Sequence, residues 1–220
     1  MPATHANVAR KSLTGRRWGV SRVLVWVAMV GCSGRPGPVD VVEVDPTEAS
    51  RSLIAEHDKS GDGALSEDEL TLLGAVRGRM NKYDADGDGK ISQVELEDGL
   101  KRVFDGRTGL LSASCRVTQN GRPLVGAYVY FVPISLLKDL VPIASGVTES
   151  GGLANLSIQK EDLPKNAPPV SGLIRPGLYA IEVTHPSLKI PEIYNVRTTL
   201  GQEVTQETCS GGPLQIALKF

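Results

Sequence analysis

Two twelve-residue stretches carry oxygen-bearing side chains at alternate positions before a glycine: DKSGDGALSEDE from Asp58 and DADGDGKISQVE from Asp84. The first places Asp58, Ser60 and Asp62 at positions one, three and five. Gly63, Ala64, Leu65 and Ser66 follow at six to nine, and Glu69 closes the stretch at twelve. The second sets Asp84, Asp86, Asp88, Gly89, Lys90, Ile91, Ser92 and Glu95 in the same order. Oxygen donors at this spacing suit a hard cation. Calcium takes about six to eight oxygens at roughly 2.3–2.6 Å, and a short loop supplies them only by turning alternate side chains inward. The sharp turn at position six demands a positive φ, which Gly63 and Gly89 allow. Position seven offers a backbone carbonyl, so Ala64 and Lys90 serve equally well there. An acidic solvated loop accounts for one such pattern more readily than for two complete ones in tandem.

Position by position, both stretches match the EF-hand calcium loop. Leu65 and Ile91 are expected to pair the loops back to back, while Ser66 and Ser92 cap the exiting helices. Glu69 and Glu95 then stand at the capping-box position, able to bind an ion bidentately. Loop one offers three carboxylate ligands and loop two offers four, which predicts tighter binding at the Asp84 loop. The surrounding helices are legible as well. Asp45 is a natural N-cap, Pro46 fits the first helical position, and Glu48 completes a capping-box pattern. Leu53, Ile54 and His57 lead into loop one, with His57 read as a packing residue. Between the loops, LTLLGAVRGRMNKY repeats Leu70, Leu73, Val76, Met80 and Tyr83 at helical spacing, with Gly74 or Gly78 expected to break it. The last helix starts near Ser92, carries Leu96, Leu100, Val103 and Phe104 on one face, and stops at Gly106. Dockerins also carry two calcium loops, but both loops here end in Glu and lie closer together.

The net charge of −1 hides an uneven distribution. Before Cys32 stand Arg10, Lys11, Arg16, Arg17 and Arg22 with no acid, whereas residues 45–105 hold fifteen acids and eight bases. No basic patch with interleaved aromatics is present, which argues against nucleic acid as a partner. Residues 1–31 read as an export signal: a basic stretch leads into VLVWVAMV, and that run is too short for a bilayer span of about twenty residues. Met29-Val30-Gly31-Cys32 resembles the lipobox of bacterial lipoproteins, which implies lipidation at Cys32; ordinary cleavage or an uncleaved anchor are the competing readings. Residues 32–44, rich in Gly, Pro and Val, read as a flexible tether.

From residue 110 the pattern changes to short β-branched and aromatic runs separated by turn signals. Seven strands are expected, at 110–118, 127–133, 144–148, 153–159, 178–185, 203–208 and 214–220. Asn120-Gly121 marks a hairpin, and residues 160–176 an irregular loop. The stretches NGRPLVGAYVYFVP, SGVTESGGLANLSI and RPGLYAIEV resemble the carboxypeptidase regulatory-like domain, a transthyretin-type sandwich. IPEIYNVRTTLGQEV is similar to the tail of such domains in exported bacterial proteins of planctomycete type. The resemblance covers about residues 110–220 and implies an accessory or adhesive module, with no peptidase activity. Cys115 and Cys209 form an even pair in a chain read as exported, so a disulfide stands beside two free thiols as a reading.

No nucleophile elbow, H-E-x-x-H or phosphate loop occurs, and His5, His57 and His185 have no evident catalytic mates. The expectation is an α+β chain of two domains, a compact helical EF-hand pair at 45–106 and a β-sandwich at 107–220. It is read as an exported, lipid-anchored cell-envelope protein that binds two calcium ions and is not an enzyme. Calcium would act structurally. A calcium-gated or dockerin-like interaction module, or an accessory subunit of a separate enzyme with an unknown protein partner, are the alternatives.

Overall fold

The computed structural model describes residues 39–106 and 108–220, an α+β arrangement with five α-helices and several sheets. The expected leader and Cys32 lie outside the described residues. Helix α1 (Pro46–His57) starts where expected: the Asp45 carboxylate accepts from the Thr47 and Glu48 N–H groups, at 3.0 and 3.3 Å. Glu48 does not close a capping box; its carboxylate pairs with Arg51 at 2.5 Å. Strand β1 (Ala64–Ser66) follows the first acidic loop and leads to a 3₁₀ turn, Glu69–Leu72, with Asp68 rather than Ser66 at its cap. The segment between the loops therefore contains that turn and two four-residue helices, α2 (Gly74–Arg77) and α3 (Met80–Tyr83). The break falls at Leu73, with φ −102° and ψ 53°, and Gly74 opens α2. After strand β2 (Lys90–Ser92), helix α4 (Gln93–Phe104) carries the full reciprocal cap of Ser92 and Glu95. Leu96, Leu100 and Val103 are buried on one face of α4, which packs along α1.

The chain then forms β3 (Leu111–Ser112), β4 (Ser114–Gln119), β5 (Arg122–Pro123), β6 (Tyr128–Pro133), β7 (Ala144–Val147), β8 (Leu153–Asn155) and β9 (Ser157–Ile158). Strands β10 (Leu173–Ile174), β11 (Gly177–Thr184), β12 (Gly201–Val204) and β13 (Leu214–Leu218) complete it. One sheet runs β12-β11-β6-β7-β9. In a second, β4 pairs with β13 on one side and with β5 and β8 on the other, the β13 pairing being parallel, while β3 and β10 form a separate two-stranded sheet. Asn120 and Gly121, at φ 49° and 78°, make the tight turn between β4 and β5. Alternate residues of β6 (Val129, Phe131), β11 (Tyr179, Ile181, Val183) and β13 (Ile216, Leu218) are buried and share one apolar cluster. That cluster also includes Leu53, Leu65, Leu70 and Leu100 of the helical segment, so helices and sheets are joined through one core.

Further expectations change. The strand expected at 153–159 is broken at Leu156 into β8 and β9, which join different sheets. The run 203–208 is not one strand: β12 ends at Val204, and Thr205 and Thr208 cap each other to start α5 (Gln206–Ser210). The disulfide weighed for Cys115 and Cys209 is not formed, and both are free thiols, Cys115 buried in β4 and Cys209 half-buried on α5. Burial in an apolar strand pushes the Cys115 thiol up to about 12, keeping it protonated and unreactive. Residues 39–44 are not a free tether: Val42 and Val44 pack on the core, and the Arg175 guanidinium donates to the Asp40 carbonyl at 2.8 Å. Among the described residues, no helix is long and apolar enough to cross a membrane.

Candidate metal centre

Strands β1 and β2 set the two acidic loops side by side. Leu65 and Ile91 are register partners, and both are fully buried beneath the loops. Burying each such side chain contributes about 1.5–3 kcal/mol, enough to fix the pairing of two three-residue strands. Each loop is then shaped by its own carboxylates. Asp58 accepts from the Gly61 and Gly63 N–H groups at 2.7 and 2.8 Å, and Asp84 accepts from Gly87 and Gly89 at 2.7 and 3.0 Å. Those bonds need the chain to bend back on itself, which Gly63 and Gly89 permit at φ 84° and 83°.

The closing glutamates have matching roles. Glu69 accepts from the Lys59 and Ser60 N–H groups, both at 2.8 Å, and from the Ser66 N–H and hydroxyl at 2.9 and 2.7 Å. Ser66 above all holds the Glu69 carboxyl down at about 2. Glu95 accepts from Ala85 N–H at 2.7 Å and from the Ser92 N–H and hydroxyl, both at 2.8 Å. Partial burial works against its charge, but the Ser92 donors outweigh it and its pKa is lowered. Both carboxylates are ionised at neutral pH and turned into their loops.

The loops differ in charge. In the second, one carboxylate oxygen from each of Asp84, Asp86 and Asp88 lies within 4.8 Å of the others. These three make no ion pair among the described residues; the Lys90 ammonium, paired with Asp62, is near enough to Asp88 to be felt there but leaves Asp84 and Asp86 without a paired cation. The first loop has Ser60 in place of the middle carboxylate, its hydroxyl donating to Asp58 at 3.1 Å. Its Asp62 carboxylate is also engaged by the Lys90 ammonium, which crosses from position seven of the other loop and lowers the Asp62 pKa. The structure thus groups three of the expected ligands of loop two, and in loop one it sets the Ser60 hydroxyl beside both Asp58 and Asp62. Ala64 and Lys90 sit in β1 and β2, their N–H groups donating to Asp62 and Asp88 at 3.0 and 2.8 Å. His57 is half-buried at the end of α1, and burial lowers its pKa.

Sequence reasoning missed a polar junction under the second loop. The Tyr83 hydroxyl donates to Glu203 Oε2 on β12 at 3.0 Å. Arg79 lies 3.6 Å from Glu203 and 3.3 Å from Glu207. A cavity of about 170 Å³ opens beside them, lined by Arg79, Lys82, Arg102, Glu203 and Glu207 among others. Comparison of the chain with family models, curated proteins and solved structures finds no match.

Proposed function

We propose that this chain is a non-enzymatic calcium-binding protein whose two EF-hand-type loops take one ion each, calcium acting as a structural element. The observation that carries the reading is the unpaired trio Asp84, Asp86 and Asp88, drawn together by a loop that Glu95 closes. An all-oxygen set with backbone carbonyls nearby favours calcium over softer metals, and a flexible loop suits it better than the rigid octahedron of magnesium. A structural role is favoured by Leu53, Leu70, Leu96 and Leu100, which are fully buried and continuous with the core of the sheets. Opening the helices as a sensor does would expose them. Export, a lipid anchor at Cys32 and a carboxypeptidase regulatory-like module at 107–220 belong to the same proposal, resting on the sequence patterns alone.

Calorimetric titration with calcium, with thermal unfolding in calcium and in chelator, tests it. An ion at one hundred times its Kd stabilises the folded state by about 2.7 kcal/mol per site. The expected result is two binding events and a raised melting temperature without uptake of a hydrophobic dye. No binding at millimolar calcium refutes the reading, and dye uptake on binding replaces the structural role with a gated one.

Lys90 supplies a sharper expectation. Its ammonium occupies an oxygen of Asp62 that loop one would offer to the ion, and adds a positive charge beside that site. Lys90→Gln should tighten calcium at loop one about threefold at low salt, the scale of an exposed ion pair. The gain should fade at high salt, where exposed charges are screened. Calorimetry at two ionic strengths checks it, and an unchanged loop-one Kd at low salt refutes it.

A further inference from the structure

Tyr83 joins three parts of the molecule. It is the last residue of α3, immediately before Asp84, and the Asp84 N–H donates to the Met80 carbonyl at 2.9 Å, so the ring and the first acidic residue of loop two move together. The ring lies directly on Gly99 of α4: a Cβ there would stand 1.9 Å from ring carbon Cε1. Helix α4 is also the helix whose first turn carries Glu95. The Arg102 guanidinium covers the ring at 5.3 Å from its centroid and donates to the Lys82 carbonyl at 2.8 Å, closing the other side. The hydroxyl then reaches out of the helices to Glu203 on β12, where both residues are buried.

Glu203 has few ways to move. Its carboxylate is buried at 7% exposure, with the Tyr83 hydroxyl on one oxygen and Arg79 3.6 Å from the other. Both partners, the hydrogen-bonding Tyr83 and the ion-pairing Arg79, come from the short segment between the acidic loops. A buried carboxylate deprived of one donor is costly, so the hydroxyl is held in place from the sheet side. A ring fixed by the sheet and wedged between α3 and α4 sets the spacing of the two helices that present Asp84 and Glu95.

We infer that the sheet tightens the second loop through Tyr83, so that calcium between Asp84 and Glu95 and the docking of the helices on β12 are thermodynamically coupled. The inference rests on the calcium reading above. Tyr83 is a positioning residue that touches no ion. Linkage makes the coupling reciprocal: whatever factor the Tyr83–Glu203 contact adds to calcium affinity, calcium adds to the stability of that contact.

Two measurements on the full-length chain test it. Calcium titration of Tyr83→Phe and Glu203→Gln should show the second-loop Kd weakened about fivefold or more, the low end of typical couplings, with loop one unchanged. The calcium-induced rise in melting temperature should shrink to match. A purely structural role would lower the melting temperature equally in calcium and chelator and leave both Kd values alone, which overturns the coupling. Hydrogen exchange needs no variant and covers one that fails to fold: in the wild-type chain, calcium should slow exchange across 202–204 about fivefold or more. Calcium binding without such slowing overturns the coupling and leaves the calcium reading intact; absence of calcium binding overturns both.

Discussion

Gly201→Ala should lower the melting temperature by about 6–12 °C. A Cβ at Gly201 would stand 2.1 Å from the Ala75 nitrogen and 2.4 Å from the Gly74 carbonyl carbon. From the other side, a Cβ at Gly74 would stand 2.6 Å from the Thr199 oxygen and 2.7 Å from the Gly201 nitrogen. All four are backbone atoms, so no side chain can rotate aside. Helix α2 has only four residues, and it must move off β12 as a unit, carrying the buried Ala75 and Val76 with it. Overpacking of a core costs about 1–3 kcal/mol, and a rigid backbone contact belongs at the upper end. For a chain of this size each kcal/mol shifts the melting temperature by about 2–4 °C, which gives the stated range. Gly74→Ala should behave alike, and the double variant should lose less than the sum, since the displacement of α2 that one Cβ forces also makes room for the other. Scanning calorimetry in chelator isolates the effect from calcium, and a melting temperature within about 1 °C of wild type would show that the contact is not formed.

That contact was invisible in the sequence, where Gly74 reads as a helix breaker. A glycine needed for close approach and one needed to interrupt a helix look the same until the neighbour is known. What the sequence did disclose rests on local chemistry. The spacing of Asp84, Asp86 and Asp88 and the Asn120-Gly121 turn are each dictated by residues a few positions apart, and the pairing of Leu65 with Ile91 follows from each holding the same position in its own loop. The Ser92–Glu95 cap is of the same kind. Where two local signals compete, the reading failed: EVTQET alternates like a strand, but the reciprocal Thr205–Thr208 cap starts α5 inside it. Strands β5 and β10 have two residues each, too few for any periodicity. Val42 and Val44 sit in a Pro- and Gly-rich run whose composition says linker, yet their alternation packs them on the core. Two polar links had no local signature. Lys90 stands at a position judged by its carbonyl, so its side chain escaped notice, and Tyr83 meets Glu203 across 120 residues of sequence.

Glu95→Gln should weaken calcium at the second loop at least about 100-fold, and Glu69→Gln should weaken the first loop by less. Loss of an outer partner of a metal ligand already costs about 10–100-fold, and the closing glutamate is proposed as a direct, bidentate ligand. The substitution is chosen because it spares the fold. Glutamine at the third helical position still serves in a capping box, so the Ser92–Glu95 cap that starts α4 is retained in kind. What is removed is one negative charge from a loop whose other three, Asp84, Asp86 and Asp88, crowd within 4.8 Å. In the first loop the same change removes charge from a site that is already weaker, with Ser60 in place of a carboxylate and Asp62 engaged by Lys90. The two variants should also part in chelator. Glu95→Gln gives up the charge-assisted bonds that lower its pKa, so its metal-free melting temperature should fall slightly, and by less than that of Glu69→Gln, whose carboxyl is held down further, while its calcium-induced rise collapses. Calorimetric titration and thermal unfolding of both variants measure the ranking. If Glu69→Gln proves the more damaging, the tighter site is the first loop, and carboxylate number does not rank the two.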